Sequence, residues 1–477
     1  MARKSVPVFV ALGLLVAGGA ALFFVTADES KGRSIEAEGT AEEEARTDTA
    51  DPLARARAFY DSRPYYQQPR PHTEVPEGLS NLRAETCGQC HQAIYEEWKV
   101  STHRRAWTDD AQFMKELAKS RGAHSDEENP DDVGWMCVTC HTPMVNQLER
   151  LVVGIEEGDI GQPIYVDNPS YEPKLQQEAI TCASCHVRDG VVYGPYGDTE
   201  APHPTAKDES LRTVEVCADC HQAEAHWPSR TLACFFSTAE EWRQSEYADN
   251  DQTCQSCHMP SVERKLAAAY DRPKRKTRRH WFGGSLIPKK PEFADEIEPL
   301  EEVYGSGADI TLEAGKPDET TGADGRLEDG RCPKGERCRH LTIRVANAHA
   351  GHYLPTGDPE RHIDVRAVAR NGEGDELAVA EQRFGSKYQW WPKITKKYDT
   401  RIAPGASRAF PLAIPVGDEA FEVELVAHKY RMYPEAFRHH ELEGEYVRGR
   451  RFHRSTWRVG PDGEVRRTRL RNDTSKQ

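Results

Sequence analysis

The chain has 477 residues, of which 37% are hydrophobic and 8% aromatic, and it carries a formal charge of −15. That length predicts two or three domains, and the acidic balance excludes a nucleic-acid binder, whose partner demands a basic footprint. The apolar supply is thin for a chain this long, and a partner docking by charge would have to present a basic face.

Residues 1–27 predict a secretory signal or an uncleaved membrane anchor. Arg3 and Lys4 precede an apolar run from Ser5 to Val25, and the small residues Thr26 and Ala27 follow. The run exceeds the roughly 7 to 15 residues of a cleaved signal and approaches the roughly 20 needed to span a bilayer. Either way the chain leaves the cytoplasm for the periplasm or beyond, and the anchor reading ties it to the inner membrane. Residues 28–51 hold nine acidic and three basic residues among small ones. Such a segment cannot bury enough surface to order itself and reads as a solvated linker.

Residues 52–290 contain Cys-x-x-Cys-His five times: Cys87, Cys90 and His91; Cys137, Cys140 and His141; Cys182, Cys185 and His186; Cys217, Cys220 and His221; Cys254, Cys257 and His258. A c-type haem needs two thiols to add across its vinyl groups and one imidazole directly after them to reach the iron. Zinc ribbons do not require a histidine after every second cysteine. A thioredoxin-like pair occurs once, beside a βαβ pattern, and a disulfide framework is indifferent to the histidine. The region therefore reads as a domain with five covalently attached haems c. The porphyrins supply the interior that the composition lacks.

Intervals of 50, 45, 35 and 37 residues between first cysteines are too uneven for a solenoid. A local repeat is visible nonetheless: Glu97-Trp98-x-x-Ser101-x-His103 and Glu241-Trp242-x-x-Ser245-x-Tyr247. The apolar spacing around Trp98 predicts a helix, which places His103 and Tyr247 at equivalent points of two related helices. Tyr247 either packs or sits beside an iron. The basic run from Arg272 to Arg279 reads as a solvated face or linker, with neutralisation of haem propionates or attraction of an anion as the functional alternative. Cys234 is left over.

Each motif fills one axial position of its iron, and 19 histidines exceed what two per haem require. His103 follows the Trp98 helix. His280 precedes Trp-Phe-Gly-Gly, which lets a backbone approach a flat ring. His203 lies between prolines, and His352 lies in AGHYLPTG with His349 as its rival. These four are the candidate distal ligands, with His226 and His124 behind them.

From residue 291 to 460 short runs such as ADITLEA, HLTIRVANA and HIDVRAVAR alternate apolar and polar residues, with turns such as NGEGDE between them. They predict an antiparallel, sandwich-like domain. Within it, EAGKPDETTGADGRLEDGRCPKGERC reads as one exposed loop. Cys332 and Cys338 close it as a disulfide in an oxidising compartment, or bind a metal. Residues 461–477 read as a charged, frayed tail. The expected fold class is thus a mainly α, haem-packed domain with little sheet, followed by a β-rich domain.

CGQCHQAIYEEWKVSTHRRAW, CHMP at Cys257–Pro260, HWFGG at His280 and NAHAGHYLPTG together resemble the multihaem cytochromes of the cytochrome c-554 type. That family is structurally related to hydroxylamine oxidoreductase and pentahaem nitrite reductase. The resemblance covers about Leu82 to Gly284. It implies closely packed haem pairs, mostly bis-histidine irons, and distal roles for His103, His203 and His280. The fifth motif and the added β domain depart from the type member.

The expected function is electron transfer between redox partner proteins. The competing expectation is an oxidoreductase acting on a small nitrogen or sulfur oxyanion at one five-coordinate haem, motivated by Tyr247 and the basic residues near His280. No catalytic residue is assigned.

Overall fold

The structure is a computed structural model that describes residues 51–471 apart from 124–129, 198–199, 228–231, 318–323 and 391. The expected signal or anchor, nearly all of the acidic linker and His124 lie outside these residues. So do the last six positions. Among the described residues no helix is long and apolar enough to cross a membrane.

Thiols at i and i+3 and an imidazole at i+4 share one face only on a helical turn, and the cysteine motifs set their helices accordingly. After α1 (Pro52–Asp61), the first motif begins on α2 (Ala84–Gly88) and His91 opens α3 (Gln92–Lys99). α4 (Ala111–Ser120) is followed by α5 (Gly134–His141), α6 (Cys182–His186), α7 (Glu215–His221), α8 (Thr238–Arg243) and α9 (Cys254–His258). α5, α6, α7 and α9 all end at the motif histidine. The next residue in each case leaves the helical region, with ψ of 73° at Thr142, 127° at Val187, 108° at Gln222 and 71° at Met259.

That early termination overturns the expectation of a mainly α chain with little sheet: 26% of the structure is helix and 31% strand. Beyond α6 and α7 the chain runs directly into strands, and the haem region itself is laced by hairpins. They are β1 (Arg150–Ile155) with β2 (Pro163–Asp167), β3 (Val187–Arg188) with β4 (Val191–Gly194), β6 (Gln222–Trp227) with β7 (Leu232–Ser237), and β8 (Ser261–Arg264) with β9 (Arg275–Arg278). β5 (Thr205–Lys207) pairs with β4 in parallel. The basic run Arg272–Arg279 is therefore partly a strand, and Cys234 lies on β7.

In the C-terminal part, β10 (Ala308–Ala314), β12 (Cys338–Asn347) and β16 (Ser407–Pro415) form one antiparallel sheet in the order β10-β12-β16. β11 (Arg326–Asp329), β13 (His362–Arg370), β14 (Glu376–Gln389), β17 (Phe421–Tyr430), β18 (Gly449–Val459) and β19 (Val465–Arg471) form a second, in the order β11-β14-β13-β17-β18-β19, with β15 (Thr395–Asp399) on β14. A short helix, α10 (Pro434–His439), precedes β18. The alternating burial of β17 fits a strand with one face on a core. Leu341, Ile343, Val365, Phe384, Phe410, Leu412, Val423 and Leu425 fill that core.

Two expectations change here. The segment from 461, read as a frayed tail, contributes β19, whose register against β18 runs from Val465↔Val459 to Arg471↔Arg454. The long loop before β12 contains β11, and the Cys332–Cys338 disulfide closes its end. Phe384 is fully buried and packs near Phe410 with the rings tilted at 55° and their centroids 6.3 Å apart. Phe384→Ala is expected to cost about 3–5 kcal/mol, read as a lowered thermal midpoint. Leu327→Ala, at a side chain 45% exposed, is expected to leave that midpoint nearly unchanged.

Candidate functional site

The five motif histidines come first, because their ring nitrogens decide whether an iron can be held. His91 donates from Nδ1 to Leu266 O at 3.0 Å, His141 to Ala106 O at 2.6 Å, His186 to Tyr193 O at 2.8 Å, and His258 to Gly283 O. A backbone carbonyl on Nδ1 fixes the tautomer and orients the ring, leaving Nε2 as a lone-pair donor for a metal. Burial holds the His221 imidazole down to about 4, and it also lowers His91, His141 and His186. These rings are neutral at neutral pH, as ligation requires.

The candidate distal histidines face motif histidines from other parts of the chain. The ring centroids of His103 and His221 are 6.4 Å apart, those of His186 and His280 6.3 Å, and those of His258 and His352 6.1 Å. An imidazole nitrogen sits about 2.0–2.1 Å from a first-row metal and about 1.1 Å from its own ring centroid. Two imidazoles on opposite sides of one ion therefore place their centroids about 6.2 Å apart. All three pairs fit a six-coordinate iron. His203 stands within electrostatic reach of His91, and Gly78 admits the chain there, since a Cβ at its positive φ would meet Pro202 O at 2.0 Å. Burial pushes His103 down to about 3 and His280 and His352 down to about 4.

His103 does not sit on a helix as the repeat predicts. α3 ends at Lys99, and His103 lies in the turn that follows, where Ala106 N donates to His103 O at 3.3 Å. His349, the rival of His352, and Tyr247, the counterpart of His103 in the repeat, are engaged elsewhere. His349 is exposed beside Asp309, at 3.6 Å. Tyr247 donates to Ala348 O at 3.4 Å and packs on Gly351, beside the His352 segment. In HWFGG, Phe282 lies between the rings of His103 and His280 at 4.3 and 5.6 Å. Gly283 leaves no room for a Cβ, which would meet the Tyr304 ring at 2.3 Å.

The motifs also lie close together. The thiols of Cys87 and Cys182, of Cys140 and Cys220, and of Cys217 and Cys254 stand side by side. Arg70 joins the second and fourth motifs: its guanidinium reaches Asp219 at 2.5 Å, and its backbone pairs with Pro143 and Val145. The donor set of paired thiols, neutral imidazoles and short spacings suits covalent haem.

His141 differs from the other motif histidines. Its ring stacks on Phe113 at 3.5 Å and 5°; the side chain of His226 lies outside the described residues. Close by, Lys289 and Tyr446 both donate to buried Asp110, Tyr446 at 2.8 Å, and the Arg431 guanidinium lies 5.4 Å over the Tyr446 ring. Arg431 is buried, and its Nε has no partner.

Sequence reasoning passed over Phe113, Arg70, Asp110 and Lys289, none of which carries a motif. It also passed over Glu97 and Glu241, although the Glu-Trp repeat marks both.

Residues 86–158 match the family model for cytochrome c554 and c-prime. Among solved structures, the penta-heme cytochrome c552 from Thermochromatium tepidum is 16% identical, with a TM-score of 0.51, covering 80% of this chain and all of that one. The sulfane dehydrogenase SoxCD from Paracoccus pantotrophus is 14% identical over 34% of this chain and 33% of that one, with a TM-score of 0.14. No curated protein matches the chain. Residues 86–158 thus resemble cytochrome c554 and c-prime, and the fold of most of the chain resembles that of a penta-heme cytochrome. The paired thiols and neutral imidazoles described above suit haem c as the cofactor.

Glu360 gives the β region a pH dependence. Burial and the neighbouring Asp358 push its carboxyl up to about 8, and its Oε2 is buried with no partner. A carboxyl with a native value above its unfolded 4.5 takes up a proton on folding between the two. Its contribution is therefore present below pH 4.5 and lost as pH rises through about 8. Glu360→Gln is expected to flatten the fall in thermal midpoint between pH 6 and 9 by a few degrees, measured by a melting series across that range.

Proposed function

We propose that this chain is an exported electron-transfer protein carrying five haems c, most of them held by two imidazoles. The observation that carries this reading is the spacing of three histidine pairs, 6.1 to 6.4 Å between centroids. Iron held by two imidazoles exchanges single electrons and offers no open position to substrate. The thiols of the five motifs would hold the porphyrins, with His91, His141, His186, His221 and His258 as proximal ligands. His203, His280, His103 and His352 would be distal ligands for the first, third, fourth and fifth motifs.

Adjacent thiols support the relay order. The first motif neighbours the third, and the fourth neighbours both the second and the fifth. Arg70 feels both Cys185 and Cys220, which brings the third motif to the fourth. Covalent haem attachment belongs outside the cytoplasm, so the apolar start of the chain is assigned to export, with retention at the inner membrane as its second use. The domain limits at 52–290 and 291–460 belong to the same proposal, and the acidic surface suits a partner with a basic face.

One iron favours a second reading, in which the chain also acts on a small nitrogen or sulfur oxyanion. The observation is His141, stacked on Phe113 and adjoining the cluster of Lys289, Asp110, Tyr446 and Arg431. The features that pointed elsewhere do not serve it: Tyr247 packs on Gly351, and Arg264 and Arg279 are taken up by Glu97.

Haem quantitation is expected to give five haems c per chain, and reductive titration five one-electron steps. Fewer than five covalent haems would overturn the main reading. His352→Met is expected to raise one of the five potentials, since a thioether axial ligand favours the reduced iron. A ferric electron-paramagnetic-resonance spectrum with one high-spin centre that shifts with nitrite or hydroxylamine is the outcome expected of the second reading.

A further inference from the structure

The Glu-Trp repeat is built twice in the same way. Trp98 donates from Nε1 to Ile180 O at 2.8 Å, and Ile180 lies two residues before Cys182. Trp242 donates from Nε1 to Gln252 O, also at 2.8 Å, and Gln252 lies two residues before Cys254. Each indole thus grips the lead-in to another haem motif, the third from the first repeat and the fifth from the second.

The neighbouring glutamates grip the opposite side. Glu97, 4% exposed, accepts the backbone N–H of His280 at 2.9 Å. It is held by Arg264 at 2.7 and 3.1 Å and by Arg279 at 2.5 Å. Glu241, 7% exposed, accepts the N–H of Tyr353, next to His352, at 3.1 Å. Its carboxylate also accepts from Thr356 Oγ1 at 2.5 Å and Arg401 Nη1 at 2.8 Å. Charge-assisted bonds to a buried carboxylate are the strong ones, and here they fasten backbone beside an imidazole.

We infer that Glu97-Trp98 and Glu241-Trp242 are positioning clamps, each fixing the two axial histidines of one neighbouring haem against each other. The first clamp spans His186 and His280, the second His258 and His352. Two bonds set each pair: the indole on the chain leading to the proximal histidine, the carboxylate on the chain bearing the distal one. The two clamps come from separate parts of the chain and share no partner, yet both join an indole-to-carbonyl bond before a motif to a carboxylate-to-backbone bond at or beside the distal histidine. The cysteines adjoining each clamp agree, since Cys87 stands beside Cys182 and Cys217 beside Cys254.

This inference rests on the proposal that His280 and His352 are axial ligands, and the test separates the two. Ferric spectra of the full-length, haem-loaded protein are compared with those of His280→Met and His352→Met, which identify the low-spin signals of the third and fifth haems. Glu97→Gln is expected to broaden and diminish the signal that His280→Met removes, and Glu241→Gln the one that His352→Met removes, with the other signals and the haem content retained.

If the Met variants leave every signal unchanged, the ligand assignment falls and the clamps fall with it. If the Met variants act but the Gln variants leave their signal intact, or weaken all signals alike, the clamp inference alone is overturned. Arg279→Gln and Thr356→Val remove one partner each and supply the same comparison should the Gln variants fail to accumulate. No change in the matching signal would overturn the inference there too.

Discussion

Everything in the N-terminal half follows from the geometry of an imidazole that must present Nε2 and nothing else. A histidine on a short helix could swing through several rotamers, or could protonate. A carbonyl on Nδ1 and removal from water suppress both, and four motif histidines have the carbonyl. The acceptors lie in other segments at Leu266, Ala106 and Gly283, and in the adjoining hairpin at Tyr193. The loops are consequently fixed by the rings as much as the rings by the loops, and a chain with a thin apolar supply can still adopt one arrangement.

The same constraint explains why helix gives way to strand. A motif needs one helical turn, and once the imidazole is placed, the chain must leave to bring a carbonyl or a second imidazole back. Extended backbone covers that distance in about half as many residues as a helix, since its rise is more than twice as large per residue. Hairpins such as β8–β9, which returns the chain to Arg278 and His280, do this directly. The C-terminal sheets extend the principle by supplying His352 from the turn after β12.

The five motifs stand out in the sequence because covalent haem attachment would require that spacing. That His103, His280 and His352 come to face motif histidines was foreshadowed by the stretches they sit in: the Trp98 repeat, HWFGG and AGHYLPTG. The alternation of the C-terminal strands was legible as well, except in β19, whose charged residues disguise its period. Helix content was not legible, because periodicity around Trp98 says nothing about where the iron requires the chain to turn. Glu97 and Glu241 were visible in the repeat, but its variable end, His103 against Tyr247, draws the eye from its constant beginning. A carboxylate that binds backbone across more than a hundred residues leaves no local periodic trace.

One arrangement bears on how such a molecule is made. A polypeptide delivered from its N-terminus presents the cysteines of the fifth motif well before the turn that carries His352, and that turn is shaped only once β12 and β16 have paired around it. On the axial assignment proposed here, the last porphyrin is attached while its second face is still open. Closure of that face is then a report that the distal sheets have assembled, so the order of biogenesis is written into the topology.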